Sequence, residues 1–360
     1  MPVSADLLRI LDVNLNRARE ALRVIEDYAR FVRDDADAAA AAKNCRHDLR
    51  RIVQTCGADA LLAARDILGD VGRETRTPAE RHRDDLEAVV RAAFGRLTEA
   101  ARGLAEYGKL LAPAAAEAAE QLRYAAYELE QRVVLRGTLR QRFRAVRLYV
   151  LLTEALCRHP WLATAEAVIR GGAQCLQLRE KTVDGADLLR RARQLRALTR
   201  AHGVLLAIND RPDIARLCGA DVLHVGQQDL PVADARHVAG AAVLVGKSTH
   251  TPEQFDAAAA EQPDYLAVGP MFDSATKPQP HVAGPETLAA VRPRTALPLV
   301  AIGGLTLANV GTVVAAGADA IAVCGAILSA ADPETAARAF REAIDAAHAR
   351  YRADTPEAPA

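Results

Sequence analysis

The chain has 360 residues and a mass of 38.5 kDa, more than one ordinary domain, so two domains are expected. Half of the residues are hydrophobic and 26% are charged, a globular balance that excludes a disordered chain. Lys plus Arg and Asp plus Glu each total 46, and zero formal charge argues against a protein built to bind bulk nucleic acid or an anionic membrane.

The start, Met1 to Asp6, lacks a basic region ahead of an apolar core, so no signal peptide is expected. Helical spacing then dominates. Leu8, Leu11, Leu15, Ala18, Leu22 and Ile25 recur at steps of three and four and share one helical face. Asn16, Arg19, Glu20, Arg23, Glu26 and Asp27 take the other side. Further helices are predicted around 38–55, 58–67, 78–111 and 113–141, with Pro78 and Pro113 in first-turn positions. These elements predict an all-α domain over 1–143.

From Arg147 the pattern changes. Apolar runs at Leu148–Leu152, Cys175–Leu178, Val204–Ile208, Val222–Val225, Val243–Val245, Tyr265–Val268, Leu299–Ile302 and Ala320–Val323 alternate with helix-like stretches. Such alternation implies parallel βαβ units. Eight of them in roughly 200 residues predict a closed α/β (β/α)8 TIM barrel over 147–350. The tail 353–360, rich in Pro and Ala, is expected to be disordered. Six scattered cysteines without a C-x-x-C pair predict reduced thiols in a cytoplasmic protein. The weakly charged stretch from Ile302 to Leu328 is broken by Gly303-Gly304, Asn309 and Asp319, and does not read as a membrane span.

A barrel of this kind carries its chemistry at the carboxyl ends of its strands. Strand two runs into Gln177-Leu178-Arg179-Glu180-Lys181, and period-two geometry turns Gln177, Arg179 and Lys181 inward with Leu178 toward the helices. Two inward cations require an anion. Strands three and four end at Asn209-Asp210 and at Gln227-Gln228-Asp229. On neighbouring strands Asp210 and Asp229 can reach one point, where two carboxylates with room for water and phosphate oxygens suit Mg2+. Their plain alternatives are a helix cap for Asp210 and a turn for Asp229. Strand five ends at Gly246-Lys247-Ser248. Strand six is followed by a loop with Ser274, Thr276 and Lys277. Gly303-Gly304 and Cys324-Gly325 follow strands seven and eight, where bare backbone N–H groups suit phosphate.

Only five of the 46 basic residues are Lys, and three of them, Lys181, Lys247 and Lys277, fall at predicted strand ends on the active face. A compact ammonium matches a phosphate oxygen differently from a guanidinium fork. Two phosphorylated parts are therefore expected in the barrel, one by Mg2+ and one by the glycines. No Ser-His-Asp triad or zinc-type spacing is present.

The motifs Gln177-Leu178-Arg179-Glu180-Lys181, Ile208-Asn209-Asp210-Arg211, His224-Val225-Gly226-Gln227-Gln228-Asp229, Ser248-Thr249-His250, Thr276-Lys277-Pro278 and Ala301-Ile302-Gly303-Gly304 stand in an order that resembles the thiamine-phosphate synthase family from about 147 to 350. The resemblance implies a transferase in which hydroxymethylpyrimidine diphosphate loses pyrophosphate and the thiazole phosphate nitrogen captures the resulting cation. It implies that Gln177, Arg179, Lys181, Asn209 and Lys277 meet the pyrimidine diphosphate, that Asp210 and Asp229 hold Mg2+, and that Ser248 sits beside the pyrimidine and leaving group. Ser274, Thr276, Gly304, Cys324 and Gly325 would hold the thiazole phosphate. The family usually has Thr at 274 and Ser at 325, and Lys247 stands where it usually has a small or apolar residue.

Residues Ile10 to Asp27, with Arg46-His47, Arg65-Asp66 and Asp70-Val71-Gly72, resemble the helical domain fused to some of these synthases, associated with hydroxymethylpyrimidine-phosphate kinase activity. That resemblance implies ATP as a further partner, although no Walker-type loop is present. The polar run of the first helix reads either as inter-helix ion pairs, with Arg46 and His47 as candidates, or as a catalytic site. Two other readings of the barrel stay open: a thiazole-phosphate isomerase or regulator that does not couple, with a dimerising helical domain, and an aldolase-like enzyme using Lys247 as a Schiff-base amine. Association into a homo-oligomer is compatible with either.

Overall fold

The structure, a computed structural model, describes residues 3–33, 35–66, 82–273 and 282–354. The chain divides into two compact units, Met1–Gly137 and Thr138–Ala360. The first is helical: α1 (Ala5–Phe31), α2 (Ala36–Cys56), α3 (Ala58–Ala63), α4 (Leu86–Gly108) and α5 (Pro113–Glu130). Side-chain caps start three of these helices, with Ser4, Asp35 and Asp85 accepting from the N–H groups of Leu7, Ala38 and Ala88. Helix α1 packs on α2 and α4, and α5 packs on the same two. Leu11, Leu15, Leu22, Ile25, Phe94 and Leu97 are fully buried between them, and alanines at 18, 21, 42, 93 and 101 let the helices approach closely.

Several helix bounds differ from the sequence reading, among them the end of α4, at Gly108 rather than Leu111. The long helix predicted to open at Pro78 begins instead at Leu86, because Asp85 caps it; Pro78 itself lies outside the described residues. Helix α3 ends at Ala63, four residues short of the predicted Ile67. The helix predicted over 113–141 is interrupted by a wider π-type turn, Gln131–Arg136, before α6 (Gly137–Arg144) resumes. That turn carries the β-branched pair Val133-Val134, both buried, which a regular α-helix crowds at χ1.

The second unit is a closed barrel of eight parallel strands: β1 (Leu148–Leu152), β2 (Cys175–Leu178), β3 (Leu205–Asn209), β4 (Val222–Val225), β5 (Leu244–Thr249), β6 (Tyr265–Val268), β7 (Leu299–Ile302) and β8 (Ala320–Val323). Helices α7 (Trp161–Arg170), α8 (Gly185–Ala201), α9 (Pro212–Cys218), α10 (Val232–Ala239), α11 (Pro252–Ala260), α12 (Gly284–Val291), α13 (Val310–Ala315), α14 (Gly325–Leu328) and α15 (Pro333–Asp354) alternate with or follow them. Alternate strand residues face outward to the helices, among them Leu176, Leu178, Ile208, Val225 and Val245. The others, including Tyr149, Cys175, Leu205, Val222, Leu244 and Tyr265, fill the interior. Phe143 closes the lower end, stacked on the Tyr265 ring with centroids 4.3 Å apart. Helix α15 takes in 353 and 354, which were expected in the tail; 355–360 lie outside the described residues.

The floor of the barrel repeats one device four times. A side-chain acceptor immediately before each even strand takes an N–H at or just before the preceding odd strand. Gln174 accepts from Arg147 N at 2.7 Å, Asp221 from Leu206 N at 2.9 Å, and Asp264 and Asp319 from Val245 N and Leu299 N at 2.8 Å each. The three carboxylates are neutralised by Arg196, by Arg140 with Arg236, and by Arg292. The buried Asp221 and Asp264 and the half-exposed Asp319 thus each carry both a charge partner and hydrogen bonds.

Candidate active site

A cavity of about 550 Å3 opens over the carboxyl ends of the strands. Of the residues singled out from sequence, Gln177, Arg179, Lys181, Asn209, Asp210, Asp229, Ser248, Gly304, Cys324 and Gly325 all line it. Ser274, Thr276 and Lys277 lie outside the described residues. The inward turn of the trio follows from β2 register: Leu176 and Leu178 pack outward, so Gln177 and Arg179 face in.

Asp210 follows β3 in the left-handed backbone region, at φ 59°, a conformation Asp tolerates better than most residues. Its N–H bonds to the His224 carbonyl at 2.8 Å, and its carboxylate meets Lys181 Nζ at 3.1 Å. Asp229 turns back to accept from Gly226 N at 2.7 Å. The Asp229 carboxyl is held above its ordinary value, first by burial and further by the adjoining Asp210 carboxyl, with the Gly226 N–H opposing. A carboxyl whose charge is disfavoured by the carboxylate beside it marks a natural place for a divalent cation. Gly304, at φ 66°, borders the cavity where a Cβ would come within 2.5 Å of the Phe272 carbonyl oxygen, so only glycine fits. Burial pushes the Cys324 thiol up to about 11, which keeps it protonated and unreactive.

One expectation fails. Lys247 does not stand on the active face. It occupies an outward position of β5, buried among the helices, and pairs with Glu261, whose other oxygen accepts from Val232 N at 2.9 Å. The period-two alternation that puts Ser248 inside puts Lys247 outside. A Schiff base to a ligand in the cavity is therefore ruled out.

His224, Tyr149 and Tyr265 also line the cavity and were not singled out by sequence reasoning. Buried His224 bonds through Nδ1 to Tyr265 Oη and through Nε2 to Ser248 Oγ, both at 2.8 Å. Burial lowers its pKa to about 4, with nearby Arg179 adding and Asp229 opposing. The signal was the register of β4: Val222 and His224 both point inward.

A closed parallel barrel with cations, facing carboxylates and glycines around one hollow defines an enzyme of the (β/α)8 class that handles phosphorylated substrates. A thiamine monophosphate synthase model matches residues 148–327, and a ThiD2 family model matches residues 9–132. Over 335 residues the chain is 42% identical to the thiamine-phosphate synthase of Thermosynechococcus vestitus, covering 92% of this chain and 93% of that one. It is 41% identical to that of Gloeobacter violaceus, over 94% and 97% of the two chains. Among solved structures, the thiamine phosphate pyrophosphorylase of Pyrococcus furiosus superposes with a TM-score of 0.53 at 29% identity, covering 57% of this chain and 98% of that one. The chain belongs to the thiamine-phosphate synthase family, as an enzyme with a fused helical unit of the ThiD2 type.

On the first helix, Arg46 reaches Glu26 at 2.8 Å and Arg65 clasps both oxygens of Asp12 at 2.6 and 2.9 Å. Of the polar run, Glu26 is thus ion-paired across helices with Arg46, while the Asp12–Arg65 pair lies outside that run. Asp70, Val71 and Gly72 lie outside the described residues. No described helix is long and apolar enough to cross a membrane.

Proposed function

We propose that the barrel forms thiamine phosphate by letting pyrophosphate leave hydroxymethylpyrimidine diphosphate before the thiazole nitrogen attacks. The observation that carries this reading is the grouping of Arg179, the Lys181–Asp210 pair and Asp229 around one cavity. Charge develops on the departing diphosphate, and fixed cations aimed at it lower the barrier without a protein nucleophile. Arg179 and Lys181 would bind the diphosphate, Asn209 and Gln177 would orient the pyrimidine end, and Ser248 would sit at the bond that breaks. Gly304 and the Cys324-Gly325 backbone would seat the thiazole phosphate together with Ser274 and Thr276, while Lys277 would join Arg179 and Lys181 at the diphosphate.

The facing carboxylates of Asp210 and Asp229 fit a magnesium ion, which binds through one or two carboxylates and keeps water and phosphate oxygens as its other ligands. When bound, Mg2+ would neutralise negative charge on the leaving diphosphate. Lys181, already paired with Asp210, would then be free to swing onto a phosphate oxygen.

For the helical unit we propose hydroxymethylpyrimidine-phosphate kinase activity with ATP, supported by the ThiD2 match over 9–132. It would make the diphosphate that the barrel consumes. Pyrophosphate release by the full chain, with both barrel substrates and with or without Mg2+, tests the first reading; no release under any condition sinks it. ADP formation from ATP and hydroxymethylpyrimidine phosphate tests the second. It should persist in an Asp210→Asn chain that no longer makes thiamine phosphate.

A further inference from the structure

Below the cavity a single file of polar groups crosses the barrel interior from β2 to β5. Gln177 Nε2 donates to Tyr149 Oη at 2.9 Å, and Tyr149 Oη lies 3.3 Å from Tyr265 Oη. Tyr265 Oη is 2.8 Å from His224 Nδ1, and His224 Nε2 is 2.8 Å from Ser248 Oγ. Gln177, Tyr149, Tyr265 and His224 are all buried, so each depends on its neighbours in the file for oxygen and nitrogen partners.

A neutral imidazole has one N–H and one lone pair. The direction of the hydrogen bond on one side of His224 therefore sets the direction on the other. With the Gln177 amide donating to Tyr149, the assignment that gives each hydroxyl proton an oxygen or nitrogen acceptor has Tyr149 donating to Tyr265 and Tyr265 donating to His224 Nδ1. His224 then keeps its proton on Nε2 and donates to Ser248 Oγ. Two groups are left over, at opposite ends of the file and both on the cavity wall. One is the Gln177 carbonyl oxygen, an acceptor; the other is the Ser248 hydroxyl hydrogen, a donor.

We propose that this one-way file is a positioning device: it holds His224 as the Nε2–H tautomer and thereby shows the pyrimidine an acceptor from β2 and a donor from β5. For its ligand the inference rests on the substrate reading above; for the tautomer it does not. A 4-aminopyrimidine pairs a donor amino group with acceptor ring nitrogens, whereas a 4-oxopyrimidine presents an acceptor oxygen beside an N–H. Reversing the file would exchange the two preferences. Tyr149, Tyr265 and His224 thus act on specificity through Gln177 and Ser248, because a buried polar group left unpaired penalises the wrong ring.

The test uses the full chain labelled with 15N-histidine and free of ligand, at mildly alkaline pH, with the His224 resonances assigned by their loss in a His224→Asn variant. Wild type should show the Nε2–H pattern. Gln177→Glu keeps the shape but offers Tyr149 only acceptor oxygens, so every link should reverse and His224 should become the Nδ1–H tautomer. A wild-type Nδ1–H pattern, or an unchanged tautomer in folded Gln177→Glu, overturns the proposal. Competition between the 4-amino and 4-oxo pyrimidine diphosphates reads the consequence. Wild type should prefer the amino ring by at least about 100-fold, falling below about 10-fold in Gln177→Glu; an unchanged ratio overturns the link to specificity. Since the tautomer is read without substrate, its failure is distinguishable from a failure of the pyrophosphate assay.

Discussion

Acid should loosen the barrel through His224, and the size of the effect follows from its surroundings. The imidazole is buried, with each nitrogen occupied by a hydroxyl, and its pKa falls from 6.5 to about 4. Because the folded value lies below the unfolded one, the contribution is fully present above pH 6.5. It shrinks as pH falls through the window down to about 4, since only the unfolded chain takes up the proton there. At roughly 1.4 kcal/mol per pH unit the whole window is worth about 3 kcal/mol, of which about 2 kcal/mol is lost by about pH 5. Trp161, the single tryptophan, lies on α7, so its fluorescence reports unfolding of the barrel unit alone. Urea unfolding curves at about pH 7.5 and about pH 5 should therefore differ more for wild type than for His224→Gln, by about 2 kcal/mol. Equal pH dependence in the two chains would refute this account of His224.

Five further outcomes are expected. Asp210→Asn and Arg179→Ala should each cut thiamine phosphate formation by about 100-fold or more, with circular dichroism unchanged. In Asp210→Asn the Asp229 carboxyl should also titrate lower than in wild type, measurable by carbon NMR, because one of the groups holding it up is gone. Lys247→Met should keep turnover within a few-fold while lowering stability by about 1–3 kcal/mol as Glu261 loses its partner, and borohydride with substrate should trap no adduct in either chain. Gly246→Ala would place a Cβ 2.0 Å from Tyr265 Cζ; displacing that pinned ring should cost about 1–3 kcal/mol and raise KM for the pyrimidine diphosphate. Phe143→Ala removes the aromatic plug and should cost about 3–5 kcal/mol in the same fluorescence assay.

The barrel was legible because its strands obey a simple alternation, so the eight apolar runs and the inward turn of Gln177 and Arg179 could be read directly. Asp210 and Asp229 could be paired because they end adjacent strands. Lys247 misled for a chemical reason: its rarity suggested function, yet strand register makes it a buried partner of Glu261. Sequence reading passed over His224 and the two tyrosines because each looks like a core residue in its own strand. Only closure of the barrel brings residues from β1, β4 and β6 into one hydrogen-bonded file. Helix ends suffered from side-chain capping, as Asp85 shows, and from the crowding at Val133-Val134.

The four repeated clasps at the amino ends of β2, β4, β6 and β8 have a consequence for how such a protein can change. Each fastens one adjacent pair of strands independently of the other three, and none uses a group from the catalytic rim. Loops above can lengthen, shorten or exchange their chemistry while strand registration stays secured from beneath. Two-strand segments, each carrying its own fastener, are thus the natural interchangeable pieces for recombining this scaffold.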